Sequence, residues 1–228
     1  MEKKQYDLCL AVLRRLHDAG VLGNMIMIGS WCIPFYEGYF AEVKYRKTIR
    51  TRDVDFLISS PSSFKKNVNL PELLRDLGFV IGYKGSKGYI KLEHPELMVE
   101  FLVPERGKGT DKPVELPGLG VNAVALRFLH FLSDNTIKVK IDDFHLTLPH
   151  PVSFALHKLI IFQRRRKDEK AVKDREAAIN ILKALIDKGE TPEVRKTLKA
   201  LPTKWQKKIA DGLKIAGNKE VIKALLMT

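Results

Sequence analysis

The sequence predicts a mixed α/β (α+β) fold, in which a body with a mixed sheet over residues 1–149 precedes a basic helical domain over residues 150–228. Two observations carry this prediction. Short apolar runs typical of strands recur through the first part of the chain. Beyond Pro149-His150-Pro151 the apolar residues recur only at helical spacing. With 228 residues, the chain can bury one large or two small cores.

The composition excludes several classes of protein. Hydrophobic residues make up 45% and charged residues 29% of the chain, which is typical of a globular protein rather than a disordered one. No apolar run reaches about 18 residues, so we expect no membrane-spanning helix and no membrane partner. Cys9 and Cys32 lack C-x-x-C spacing, which predicts reduced thiols in the cytoplasm and argues against a zinc site.

The positive charge is unevenly distributed. Residues 151–228 contain 19 Lys and Arg against nine Asp and Glu, whereas residues 1–150 contain 21 against 18. This asymmetry favours a surface for the phosphates of a nucleotide or a nucleic acid in the C-terminal part. The alternative to a phosphate-binding surface is that these helices are rich in lysine only because they are solvated.

The N-terminal residues predict a helix, a strand and a second helix. Residues 5–19 show the apolar stripe of an amphipathic helix. Met25–Ile28 is wholly apolar, as expected for a buried central strand, and ends at Gly29-Ser30. The aromatic-rich residues 31–40 predict a helix with Pro34 in its first turn.

The stretch Asp53–Ile58 predicts a strand that carries two acids. Val54 and Phe56 alternate with Asp53 and Asp55, so both carboxylates lie on the same side, about 7 Å apart along the backbone. Two carboxylates at this spacing repel each other unless a cation lies between them, and a divalent metal ion is the usual cation. Solvated acids on an exposed edge strand are the alternative.

The remaining elements follow from the same periodicities. In Leu97–Val103, Glu100 lies on the less aliphatic side of a strand. The other predictions are a helix at 71–77, a hairpin of Phe79–Lys84 and Tyr89–Glu93, a loop at 104–120, a helix at 122–132, a hairpin of Ile137–Ile141 and Phe144–Leu148, and helices at 152–166, 168–187, 192–200, 203–216 and 218–226.

The order of these motifs resembles the nucleotidyltransferase superfamily that includes DNA polymerase β. In that superfamily a Gly-Ser turn follows a strand, an Asp-x-Asp strand comes next, and a neighbouring strand supplies a third carboxylate. The run from Arg50 to Phe56 is similar to the R-x-T-x-D-h-D-h run of a small prokaryotic branch that includes the AbiEii-type toxins. Lys158 and Asp174 are similar to the Lys and late Asp motifs of that branch. The resemblance covers residues 24–180.

The resemblance implies a polymerase-β-like enzyme that transfers a nucleoside monophosphate from an NTP to an acceptor hydroxyl, with Mg²⁺ or Mn²⁺ as cofactor. The implied catalytic and metal-binding residues are Asp53, Asp55 and Glu100. The implied nucleotide-binding residues are Gly29, Ser30, Arg50, Lys158 and Asp174.

The acceptor and the existence of turnover stay open. RNA such as tRNA is favoured by the basic C-terminal part, and a small molecule or a protein side chain is the alternative acceptor. A toxin-like enzyme would have an antitoxin-type protein partner. A nucleic-acid-binding or partner-binding module of the same fold, without turnover, is the alternative from another class. The alternative to a role in the site is, for Glu100, that of an ordinary exposed acid. For Lys158 and Asp174, the alternative is a position on a solvated helix face.

Overall fold

The computed structural model describes residues 3–47, 51–64, 67–105, 107, 109, 112–165 and 168–227. Within these residues, no helix is long and apolar enough to cross a bilayer. The helices of the described residues are α1 Lys3–Asp18, α2 Cys32–Phe35, α3 Leu70–Leu73, α4 His130–Ser133, α5 Pro151–Ile161, α6 Asp168–Asp187, α7 Thr191–Ala200, α8 Thr203–Ala216 and α9 Lys219–Leu226. The strands are β1 Ile26–Ile28, β2 Asp53–Leu57, β3 Val80–Lys84, β4 Tyr89–Glu93, β5 Met98–Pro104, β6 Val114–Leu116, β7 Val121–Leu126, β8 Thr136–Ile141 and β9 Phe144–Pro149.

The chain divides into two compact units. The first comprises Met1–Cys32 and Thr48–Pro149, and the second comprises Ile33–Lys47 and His150–Thr228. The second unit therefore includes residues 33–47 besides the C-terminal helices. The predicted domains, residues 1–149 and 150–228, stay a prediction.

Aromatic and polar contacts attach residues 33–47 to the helical unit. The Tyr36 ring meets the Phe154 ring edge to face, with centroids 5.6 Å apart. The Tyr39 hydroxyl donates to Glu190 at 2.6 Å, and Asn180 Nδ2 donates to the Arg46 carbonyl at 3.2 Å. These contacts explain the length of the connection before β2, since its first half belongs to another unit.

The first unit is built on a mixed sheet, as predicted, and β5 lies at the centre of this sheet. β5 pairs in parallel with β2 along one side. On its other side it pairs antiparallel with β4 at its beginning and in parallel with β7 at its end. β1 extends the sheet beyond β2, β3 extends it beyond β4, and β6 pairs with β7. β8 and β9 form the predicted second hairpin as a separate two-stranded sheet.

The prediction that Met25–Ile28 forms a central strand is wrong. In the described part of the sheet, β1 pairs only with β2 and lies at one end. Its side chains are nevertheless buried, because Ile26 and Ile28 pack in an apolar cluster and β9 contacts β1. The other cluster members are Leu57, Leu102, Leu129 and Leu132, with Val124 packed against them. Tertiary packing, rather than a central position, accounts for the apolar run.

The predicted helix at residues 122–132 is also wrong. Its first half forms β7, and only His130–Ser133 is helical. Pairing with β5 and β6 satisfies the backbone of β7 and outweighs the helical propensity of Ala123 and Ala125. The buried Asn122 side chain accepts a hydrogen bond from the Ile90 N–H at 2.8 Å, which further fixes β7 beside β4.

Two further predictions need correction. The helix expected over residues 31–40 is limited to α2, which follows a 3₁₀ turn at Gly29–Trp31. The chain then continues in tight turns, in which the Tyr36 N–H donates to the Ile33 carbonyl at 3.3 Å. The loop expected over residues 104–120 contains the short strand β6.

The second unit is organised around α5. Every residue from Pro151 to Ile160 is buried, as expected for a helix surrounded by other helices. α5 contacts α6, α7 and α8. A Cβ atom at Gly212 of α8 would lie 2.7 Å from the Leu159 carbonyl, so the absence of a side chain permits this close approach. All five predicted C-terminal helices are present.

Candidate active site

The two aspartates of β2 lie on the same side of the strand, as predicted. Val54 and Phe56 are fully buried, whereas Asp53 and Asp55 are partly exposed. The Asp53 N–H donates to Thr51 Oγ1 at 3.1 Å, which orders the approach to the strand. The alternation therefore separates an apolar face in the core from a face that carries both carboxylates.

Glu100 lies beside Asp55. The two residues are register partners on the parallel strands β2 and β5. Register partners on neighbouring strands project to the same face, and the strands are about 5 Å apart. On the opposite face, Phe56 and Phe101 are the next register partners, and their rings stack with centroids 6.1 Å apart. The fold thus brings the predicted third acid next to the Asp-x-Asp pair.

Gly29 packs directly against the Asp55 carboxylate. Its φ is +75°, and a Cβ atom at this position would lie 2.5 Å from Asp55 Oδ2. Both the backbone conformation and the close approach therefore require glycine. Ser30 follows in the 3₁₀ turn and is partly exposed. The structure thus brings Gly29 and Ser30 to the same end of β1 and β2 as the acids.

Lys91 is a residue of this site that the sequence analysis missed. Lys91 Nζ lies 2.5 Å from Glu100 Oε1 and 3.0 Å from Met98 Sδ. The Lys91 side chain is 12% exposed and that of Glu100 is 13% exposed, so this ion pair is largely removed from solvent. Glu100 is therefore not the ordinary exposed acid of the alternative interpretation.

Arg50 lies outside the described residues, so its predicted nucleotide contact stays a prediction. The neighbouring Arg52 donates from Nη2 to the His94 carbonyl at 2.7 Å. This contact fixes the residue before β2 to the turn before β5. It supports the strand that carries the aspartates.

Lys158 and Asp174 form a buried ion pair in the second unit. Lys158 is 5% exposed and Asp174 is 4% exposed, so a solvated helix face is wrong for both residues. Lys158 Nζ donates to Asp174 Oδ1, and Arg165 Nε donates to Oδ2 at 2.8 Å. Burial raises the pKa of the Asp174 carboxyl, but the two cations outweigh burial and hold this pKa below its usual range. Arg165 is therefore a third member of this charged cluster.

His157 is buried beside this pair. It is 6% exposed, and its Nε2 has no hydrogen-bond partner among the described residues. Burial, with a smaller contribution from the Lys158 ammonium, lowers the pKa of His157 to about 3. The imidazole is therefore neutral at physiological pH.

The first unit offers oxygen donors suited to a divalent cation. Asp53 and Asp55 present carboxylates on one face, and the backbone of Gly29 approaches Asp55 Oδ2 closely. Carboxylate oxygens are the ligands that Mg²⁺ and Mn²⁺ prefer. Among the described residues, no three His, Cys, Asp or Glu side chains are already gathered as a metal site. The donor chemistry fits a cation at the aspartates, whereas Glu100 is held by Lys91.

A mixed sheet with a Gly-Ser turn and acids on adjacent strands places the chain in the class of nucleotidyltransferase-like folds. The family model described as nucleotidyltransferase matches residues 8–201, which is most of the chain. The chain therefore belongs to this nucleotidyltransferase family. Its finer resemblance to AbiEii-type toxins stays a prediction.

Several solved structures are similar to the chain. The crystal structure of ANT(2'')-Ia in complex with adenylyl-2''-tobramycin is 11% identical, with 92% of this chain and 98% of that chain covered and a TM-score of 0.49. An antigenic nucleotidyltransferase-like protein from Paracoccidioides brasiliensis is 14% identical, with 96% and 91% covered and a TM-score of 0.48. A tRNA nucleotidyltransferase complexed with a primer tRNA and an incoming ATP analog is 15% identical, with 94% and 62% covered and a TM-score of 0.25. Comparison with curated proteins gave no match.

Proposed function

We propose that this chain is a metal-dependent nucleotidyltransferase that moves a nucleoside monophosphate from an NTP to a hydroxyl group, with RNA such as tRNA as the acceptor. One observation carries the proposal most directly. Asp55 of β2 and Glu100 of β5 are register partners, and the backbone of Gly29 lies against the Asp55 carboxylate. This arrangement supplies adjacent acids beside a turn that a triphosphate can approach closely.

The three acids have different roles in the proposed reaction. The acceptor oxygen attacks the α-phosphorus, the bond from this phosphorus to the pyrophosphate oxygen breaks, and pyrophosphate leaves. Glu100 takes up the proton of the attacking hydroxyl. Asp53 and Asp55 would hold Mg²⁺ or Mn²⁺, and the resemblance implies Glu100 as a further ligand on the acceptor side. When bound, the cation supplies positive charge to the attacking and leaving oxygens.

The remaining predicted residues bind the nucleotide in this proposal. Gly29 and Ser30 offer backbone N–H groups and a hydroxyl to the phosphate oxygens. Arg50 and Lys158 supply positive charge for the triphosphate. Asp174 holds Lys158 in a fixed geometry, which the buried ion pair between them supports. Lys158→Met should therefore raise the KM for NTP.

The choice of an RNA acceptor rests on charge. The excess of positive charge lies in the C-terminal part, because residues 151–228 contain 19 Lys and Arg but only nine Asp and Glu. A polyanionic acceptor is attracted to such a surface, whereas a neutral small molecule is not. A protein or small-molecule acceptor would leave this charge without a role in substrate binding.

The test is transfer of label from four α-³²P-labelled NTPs to total cellular RNA, with Mg²⁺ or Mn²⁺ present. Wild type is compared with Asp53→Asn/Asp55→Asn. We expect labelled RNA from wild type alone, with one of the four NTPs preferred. Loss of both carboxylates should lower transfer by at least about 10³-fold, because the cation and the attacking geometry are lost together.

A matched control is Asp142→Asn/Asp143→Asn. These two acids lie in the exposed turn between β8 and β9, and asparagine tolerates the positive φ of Asp142. The control removes the same charge without touching the site, so it should retain wild-type transfer. Label on the protein itself would contradict an RNA acceptor. If wild type neither transferred label nor bound NTP, this result would contradict an enzyme and favour the binding module.

A further inference from the structure

A cationic side chain of the protein itself, Lys91, contacts Glu100. Lys91 reaches Glu100 from β4, which pairs antiparallel with β5 and has Leu92 as the register partner of Val99. Lys91 and Glu100 therefore lie on the same face of the sheet as Asp55. The face carries, across three strands, Asp55 of β2, Glu100 of β5 and Lys91 of β4.

The Lys91 ammonium limits where divalent cations can bind on this face. A second divalent ion at Glu100 would have to approach an ammonium that already lies 2.5 Å from the Glu100 oxygen. At such a separation, like charges in a partly buried site repel strongly.

The position of Lys91 is itself fixed. Its ammonium also contacts Met98 Sδ at 3.0 Å, and the side chain is 12% exposed. A metal ion at Glu100 would have to break an ion pair that is largely removed from solvent, which costs far more than breaking an exposed ion pair. Displacement of Lys91 by a metal ion is therefore unfavourable.

We propose that Lys91 takes the place of the acceptor-side metal ion, so that the site holds one divalent cation, at Asp53 and Asp55. This inference rests on the proposed function and assigns Lys91 as a positioning residue. The Lys91 ammonium orients Glu100 toward the acceptor hydroxyl, and a divalent ion is excluded from Glu100.

The experiment counts bound ions without measuring activity. Each variant is titrated with Mn²⁺ alone, and free Mn²⁺ is followed by its electron paramagnetic resonance signal. Wild type should saturate at one ion per chain and Asp53→Asn/Asp55→Asn at none. Lys91→Met should bind a second ion, and Lys91→Met/Glu100→Gln should return to one. The control Lys138→Met removes an exposed lysine of β8 and should stay at one ion.

Two results would overturn the proposal: two ions in wild type, or a single ion in folded Lys91→Met. Glu100→Gln keeps the test decisive if Lys91→Met does not fold. It should leave the wild-type count of one ion unchanged, whereas loss of an ion would show that Glu100 is a metal ligand. The labelling experiment separates the two failures. Transfer by a wild type that binds two ions would refute only the role of Lys91, whereas Mn²⁺ binding unaffected by Asp53→Asn/Asp55→Asn would refute the proposed site.

Discussion

Replacement of Gly29 should affect nucleotidyl transfer much more than the stability of the fold. Gly29→Ala places a methyl group 2.5 Å from Asp55 Oδ2 and keeps φ at +75°. The left-handed backbone should cost about 1–2 kcal/mol in the free energy of unfolding. Displacing the carboxylate by about 1 Å should lower nucleotidyl transfer by about 10²-fold. Urea denaturation and the RNA-labelling assay measure the two effects.

Gly85→Ala is the matched control. Gly85 has φ of +66°, and no heavy atom lies within 4 Å of a Cβ placed there. It should show only the loss of stability due to the left-handed backbone and should keep wild-type transfer. If the two variants lost activity equally, backbone strain rather than contact with Asp55 would explain the effect.

Much of the site at the scale of residues was accessible from the sequence. Alternation along Asp53–Ile58 predicted the common face of the aspartates, because a strand fixes the direction of successive side chains. Lys91 was not accessible in the same way. Its contact with Glu100 depends on which strands are neighbours and in what register, and no local pattern specifies this pairing.

At the scale of elements, the strongly periodic segments were predicted and the ambiguous ones were not. The hairpin of β3 and β4 followed from two alternating runs around a Gly-rich turn. β7 contains two alanines and no turn signal, so its sequence also fits a helix, and only pairing with β5 makes it a strand. The end position of β1 was missed because burial by a neighbouring hairpin resembles burial inside a sheet.

The buried His157 of α5 should make stability depend on pH. Its pKa is about 3 in the folded chain, against an ordinary value of 6.5. As pH falls below 6.5, the unfolded chain binds a proton that the folded chain does not, so the free energy of unfolding falls. Above pH 6.5 the effect vanishes. Between pH 7 and pH 5 the loss due to His157 should be about 2 kcal/mol.

The measurement is urea denaturation of wild type and His157→Leu at both pH values. Burial also lowers the pKa of His150, so both proteins share part of the pH dependence, and the difference between them isolates His157. His145→Leu, at an exposed position of β9, should behave as wild type. An equal loss of stability in wild type and His157→Leu would contradict the prediction.

At the scale of the whole molecule, the uneven distribution of the +13 net charge predicts that RNA binds to the C-terminal part. Residues 202–228 lie beyond the family match and contain six lysines against two acids. Lys204, Lys207 and Lys214 are exposed and share one face of α8. Their replacement by Gln should weaken RNA binding and reduce the slope of log K against log salt concentration by about 2. Fluorescence anisotropy with single-stranded RNA from 50 to 200 mM salt measures this slope.

A control with the same change in charge decides whether position matters. Lys3→Gln/Lys138→Gln/Lys140→Gln removes three exposed lysines from the first unit. Phosphate contacts release counterions only where they form, so this control should leave the slope close to that of wild type. Equal slopes for the two triple variants would mean that RNA responds to net charge alone. The basic C-terminal helices would then be a solvated surface, and the case for RNA over a small-molecule acceptor would lose its basis.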